Sequence, residues 1–255
     1  MASLESIARV GPGLPGAPRE WRAASRALLL ASWLGVPAAA AAQAPLAPGR
    51  VEGLATVSRR LSTSRQRAQV YGEPGSLPAR AGTRENALAN VVLYLESSTP
   101  LRGPAQPGLP PVMRQHGEQF EPHVLPVLIG TTVEFPNDDD VYHSVFSLSR
   151  VRTFDLGRSP RGSSKSVQFP MPGVVQLFCH IHADMSGYIL VLDNPFFVVP
   201  DASGHFALEG VPPGVYRLVA WHERIRPIGT AISVESGRTT TVRVDIPLPE
   251  PVGGR

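Results

Sequence analysis

The chain has 255 residues, 42% of them hydrophobic and 18% charged, with a formal net charge of +3. That length holds one or two domains with real cores, and so small a charge is no footprint for nucleic acid. Its single cysteine, Cys179, excludes an internal disulfide.

The N-terminal residues read as a leader. Arg19, Arg22 and Arg26 precede the apolar run A-L-L-L-A-S-W-L-G-V-P-A-A-A-A-A, and A-Q-A follows with Ala42 and Ala44 at small-residue cleavage positions. A basic segment, a short apolar segment and an A-x-A site make residues 1–44 a signal peptide. The run is too short to span a bilayer comfortably and is interrupted by Pro37. No later segment is apolar enough to cross, so no stable membrane insertion is expected of the mature chain.

The remainder predicts an all-β protein. V-E-G-L-A-T-V alternates like a strand and leads into an Arg/Ser-rich stretch; A-N-V-V-L-Y-L-E (89–96) is a second strand, and residues 98–111 form a Pro/Gly loop. Then come V-L-P-V-L-I-G-T-T-V-E-F (124–135), F-D-L-G (154–157), K-S-V-Q-F (165–169), G-V-V-Q-L-F-C (173–179) and Y-I-L-V-L (188–192). After Asp193 follow H-F-A-L, V-Y-R-L-V-A-W-H, T-A-I-S-V and T-T-T-V-R-V-D-I, separated by D-A-S-G, V-P-P-G and E-S-G-R. Short β-rich runs bounded by turn residues, without a sustained 3.6-residue period, point to sandwiches or barrels.

One stretch carries chemistry. In F-C-H-I-H-A-D-M, Cys179 is followed by His182 and then Met185 at three-residue steps, and P-N-D-D-D-V-Y-H supplies His143 upstream. A thiolate, two imidazoles and a thioether are a soft donor set, the composition of a blue-copper electron-transfer site; zinc more often recruits a second cysteine or a carboxylate. Val175, Leu177 and Cys179 share one strand face, so the sulfur points where core residues point. In an exported chain a free thiol is open to oxidation, and metal ligation protects it. The expected ligands are His143, Cys179, His182 and Met185. His180 is expected to face solvent, His116 and His123 to be structural or exposed, and His205 and His222 to lack a partner set. Only His180 and His182 form an H-x-H pair, which argues against a multicopper enzyme, and a lone cysteine excludes a binuclear copper centre.

On these residues, 110–193 resemble the cupredoxin family: a G-T-T-V-E-F-P-N-D strand, a histidine just after it, a cysteine closing the penultimate strand, and an amicyanin-like C-x2-H-x2-M loop. The whole chain resembles methylamine-utilisation-type periplasmic proteins. The resemblance implies a Greek-key β-sandwich, one type 1 copper per chain, no enzymatic activity, a periplasmic location and a redox partner such as a c-type cytochrome or an amine dehydrogenase. Many cupredoxins carry Asn directly after the first histidine ligand; here it is Ser144, which puts the rigidity of the ligand loops in question. The family's partner-docking rim is expected around His182 and Ile181, with the F-P-M-P-G turn (169–173) at the same end. Separately, V-P-D-A-S-G-H-F-A-L-E-G-V-P-P-G-V-Y-R-L-V-A-W resembles the carboxypeptidase-regulatory, transthyretin-like β-sandwich. The resulting division is 1–44 signal peptide, 45–109 N-terminal β segment, 110–193 cupredoxin domain and 194–255 second sandwich. The N-terminal strands either complete the second sandwich, making it discontinuous, or stand as a consecutive module.

Overall fold

In the order of the chain, the strands of the computed structural model are β1 (Gly49–Arg60), β2 (Val92–Glu96), β3 (Arg114–His116), β4 (Gln119–Glu121), β5 (Val124–Leu128), β6 (Thr132–Pro136), β7 (His143–Ser149), β8 (Arg152–Ser159), β9 (Ser164–Gln168), β10 (Gly173–Cys179), β11 (Ser186–Leu192), β12 (Phe197–Val198), β13 (His205–Val211), β14 (Gly214–Trp221), β15 (Ile228–Val234) and β16 (Thr239–Pro249). The structure describes residues 46–60, 88–103 and 111–249. The expected signal peptide, the Arg/Ser-rich stretch beyond Arg60 and half of the Pro/Gly loop lie outside the described residues. The described residues are all-β, as the short alternating runs require, and hold no helix.

The strands sort into two sandwiches. The first sets a five-stranded sheet, β5-β11-β10-β7-β8, against the pairs β6-β9 and β3-β4. Its core holds Met113, Phe120, Phe135, Val145, Phe169, Val175, Leu177 and Ile189, with Cys179 and Met185 at one end. The run 124–135, read as one strand, is two: the chain turns between Leu128 and Thr131, so that β5 joins the five-stranded sheet and β6 pairs with β9 across the core. H-S-V-F-S-L-S, which the turn-rich N-D-D-D context had hidden, is a full strand of that sheet.

The second sandwich packs β13-β1-β16 against β12-β2-β14-β15. β1 runs antiparallel to β13 and parallel to β16, and β2 lies between β12 and β14. Strands on both sides of the first sandwich in sequence thus share sheets, and Val51, Leu93, Leu95, Phe206, Leu218, Ile232 and Ile246 share one core. The D-A-S-G turn shows why its glycine is needed: Gly204 has φ +90°, and a Cβ there would meet the Ala55 carbonyl oxygen at 2.2 Å.

A third apolar cluster fills the seam between the sandwiches. Val124, Leu190 and Leu192 from the outer face of the first meet Val92 and Trp221 of the second, with Tyr94, Tyr188 and Phe197 packed around them. This explains why Y-I-L-V-L is apolar on both faces: Ile189 and Val191 point into the first core, Leu190 and Leu192 into the seam.

Candidate metal centre

β7 and β10 are antiparallel neighbours, with Val145 opposite Cys179. Side chains two residues apart on a strand share a face, so His143, at the start of β7, lies diagonally across from Cys179, at the end of β10. The 180–185 loop then folds back: the His180 N–H donates to the Ser144 carbonyl at 2.9 Å, the Met185 N–H to the His182 carbonyl at 3.1 Å, and the Cys179 N–H to the Met185 carbonyl at 3.2 Å. These bonds bring His182 to the same end of the core.

The three donor atoms form a tight triangle. His143 Nδ1 and His182 Nδ1 are 3.1 Å apart, and each lies 3.8 Å from Cys179 Sγ. A point about 2.1 Å from all three satisfies these sides, the length of a metal–imidazole bond. His143, Cys179 and His182 are together able to hold a metal ion. Met185, 1% exposed, is buried in the same core cluster as Cys179.

The tautomer of His143 supports this. Its Nε2 faces Asp139 Oδ2 at 2.9 Å, and a carboxylate only accepts, so Nε2 carries the proton and Nδ1 presents a lone pair. Two imidazole nitrogens 3.1 Å apart, one of them bare, need a proton or a cation between them. The sulfur is cradled too: the backbone N–H groups of Ser144 and Ile181 each donate to Sγ at 3.4 Å. Both dipoles aim their positive ends at the atom that bears the charge in a thiolate ligand. The Ser144 backbone therefore ties the two ligand loops together with its N–H and its carbonyl, a job for which its side chain is not required.

Asp139 was missed in the sequence, where it is one of three consecutive aspartates; the signal was its i,i+4 spacing to His143. It accepts from Gly117 N–H at 2.7 Å and Glu118 N–H at 2.9 Å as well as from His143. Burial pushes its carboxyl up, but the Glu118 N–H, the His143 ring and the Gly117 N–H outweigh that and hold its pKa below the ordinary value. The donors come from the β3–β4 turn, where Gly117 (φ +61°) and Glu118 (φ +58°) both adopt the left-handed conformation of a type I′ hairpin. A non-glycine residue there is strained, and the two N–H bonds to Asp139 offset the strain. Asn137, fully buried, shapes the loop that carries Asp139: its Nδ2 donates to the Val141 and Ser159 carbonyls, and its Oδ1 accepts the Asp139 N–H.

The remaining histidines stand apart. His180 stacks flat on Phe146 with ring centroids 3.8 Å apart and pairs with Asp155 at 3.3 Å, half exposed. His123 packs edge-on to Tyr188, and His205 Nδ1 meets Ser203 Oγ at 2.9 Å. His222 is buried, and its Nδ1 accepts the Arg224 N–H at 3.1 Å. The F-P-M-P-G turn corrects an expectation. It enters β10 at Gly173, six residues before Cys179, so it lies about 20 Å from the sulfur at strand rise, at the opposite end of the sandwich. Val141, Tyr142 and Ile181 on the ligand-bearing loops are exposed apolar side chains, and His182 is half-buried.

No family model matches the chain, and no curated protein matches it. Among solved structures, a copper-containing nitrite reductase (NirK) from Thermus scotoductus SA-01 is 29% identical over 36% of this chain, at a TM-score of 0.33. The match spans 28% of the reductase's length. A purple cupredoxin from Nitrosopumilus maritimus is 22% identical over 32% of this chain and 99% of its own, with a TM-score of 0.30. The reduced Cu(I) form of an amicyanin mutant at pH 4 is 20% identical over 39% of this chain and 98% of its own, with a TM-score of 0.32.

Proposed function

We propose that the chain is an exported, periplasmic type 1 copper protein that carries single electrons between redox partners. The observation that carries this reading is the triangle of His143 Nδ1, His182 Nδ1 and Cys179 Sγ around one point at metal-bonding distance. The donor set fits copper: His143 and His182 would hold it through imidazole nitrogens and Cys179 through its thiolate, and Met185 would be the thioether donor. Copper bound there would supply a one-electron couple. The protein's part is geometric. β7 and β10 hold His143 and Cys179 on a packed core, Asp139 fixes the His143 ring, and the loop hydrogen bonds fix His182. A site that cannot rearrange exchanges an electron at small reorganisation cost. The exposed Tyr142 and Ile181, next in sequence to His143 and His182, suit a brief encounter with a c-type cytochrome or an amine dehydrogenase, since weak redox contacts use small interfaces.

An open groove of about 570 Å³ over β1, β13 and β16, lined by Arg50, Glu52, Asp201, His205, Thr241 and Arg243, favours a second reading in which the protein stores copper or binds protein or glycan without turning over electrons. The test is an absorption spectrum and a voltammogram of copper-loaded protein. An intense thiolate-to-copper band with reversible one-electron cycling supports the carrier. A band without reversible cycling supports the binding protein, and absence of the band refutes the type 1 site.

A further inference from the structure

His116 closes β3, opposite Gln119 of β4, and its side chain is 62% exposed. Its Nδ1 lies 3.9 Å from Asp139 Oδ1, while Asp139 Oδ2 holds His143 Nε2 at 2.9 Å. One carboxylate, 13% exposed, thus stands between an imidazole in water and an imidazole at the metal centre. Its negative charge favours the more oxidised metal by making the His143 ring a stronger donor. A positive His116 on the other oxygen draws that charge outward.

We infer that His116 couples protonation to the copper couple, acting through Asp139; this rests on the copper reading above. One electron from a one-electron reductant enters the centre, one proton from solvent enters the His116 imidazole, and each event favours the other because the net charge of the neighbourhood is kept. The linkage is reciprocal. For unit charges roughly 10 Å apart near a surface, Coulomb's law gives a mutual shift of about 1.2 pH units, equivalent to about 70 mV at 59 mV per tenfold change.

The charged groups around His116 are Asp139 from the β6–β7 loop, Glu118 in its own turn, the Arg114–Asp138 ion pair beside it, Glu121 opposite Arg114, and the Asp140–Arg161 ion pair farther along that loop. They are the same in wild type and in a His116→Gln variant, as are the ligand histidines, so the difference between the two pH curves isolates His116. The substitution is on an exposed ring and spares every ligand.

The experiment is spectroelectrochemistry of copper-loaded wild type and His116→Gln from pH 5 to 8. The wild-type potential rises towards acid by about 70 mV more than the variant's, the conversion of about 1.2 pH units at 59 mV per unit, and the two curves converge as pH rises. Superimposable curves from proteins that both show the thiolate-to-copper band overturn the inference and leave the copper reading intact; absence of the band refutes the copper reading itself. A readout free of copper is ring-proton NMR of the metal-free protein. Asp139→Asn changes how the His116 ring signals respond to pH, because the carboxylate 3.9 Å from Nδ1 is gone, and identical pH curves overturn the contact on which the coupling depends.

Discussion

Replacing Asp139 with Asn tests whether one carboxylate organises the centre. Asp139 uses both oxygens, Oδ1 for the Gly117 N–H and Oδ2 for the Glu118 N–H and His143 Nε2. An amide keeps one acceptor. If it faces Glu118 and His143, its NH2 group meets the Gly117 N–H donor to donor. One backbone N–H of a left-handed turn then loses its partner, at about 1–3 kcal/mol, and the remaining bonds lose charge assistance. The expected destabilisation of the metal-free protein is about 2–4 kcal/mol at pH 7, and copper affinity falls about 10–100-fold because His143 is no longer held. The pH dependence follows from the depressed pKa of Asp139. A carboxyl lower in the folded than in the unfolded chain contributes stability above the unfolded value, and that contribution is lost as pH falls through the folded value. Urea denaturation of both proteins at pH 7 and pH 3 therefore shows a gap that narrows in acid. A gap under about 0.5 kcal/mol at pH 7, within the range of ordinary surface substitutions, or one that stays constant to pH 3, refutes the role assigned to Asp139.

Cys179→Ser abolishes the thiolate-to-copper band while circular dichroism stays native, and Met185→Leu keeps the band and raises the potential; a blue Cys179→Ser protein contradicts the ligand set. Burial, then the charges of Arg224 and His123, hold His222 down at about 4. Its neutral form is the folded one, so wild type loses stability as pH falls from about 6.5 towards 4, by at most 1.4 kcal/mol per pH unit, and His222→Gln flattens that slope in denaturant titrations. Tyr142→Lys slows electron transfer to a redox partner in stopped flow with spectrum unchanged, whereas Met171→Lys, at the far end of β10, leaves the rate as it was. N-terminal sequencing of protein from its native compartment starts near Pro45, and intact chain recovered from membranes contradicts the leader.

The chemistry was legible in the residues themselves. A lone cysteine with His and Met at three-residue steps behind it defines a soft donor set whatever surrounds it, and alternation in G-V-V-Q-L-F-C already aims the sulfur inward. Turn residues between short apolar runs likewise announced an all-β chain. What the tertiary structure decided were relations between distant segments. β-Pairing is a backbone interaction that leaves no mark on the side-chain alphabet, so only the tertiary structure places β1 between β13 and β16, and β2 between β12 and β14. Only the fold could choose Asp139 from three adjacent aspartates, because the choice lies in the direction of one side chain towards the Gly117–Glu118 turn and the His143 ring. The same holds for Met171: its turn is six residues from Cys179 in sequence, yet an extended strand converts that short separation into the whole height of a sandwich.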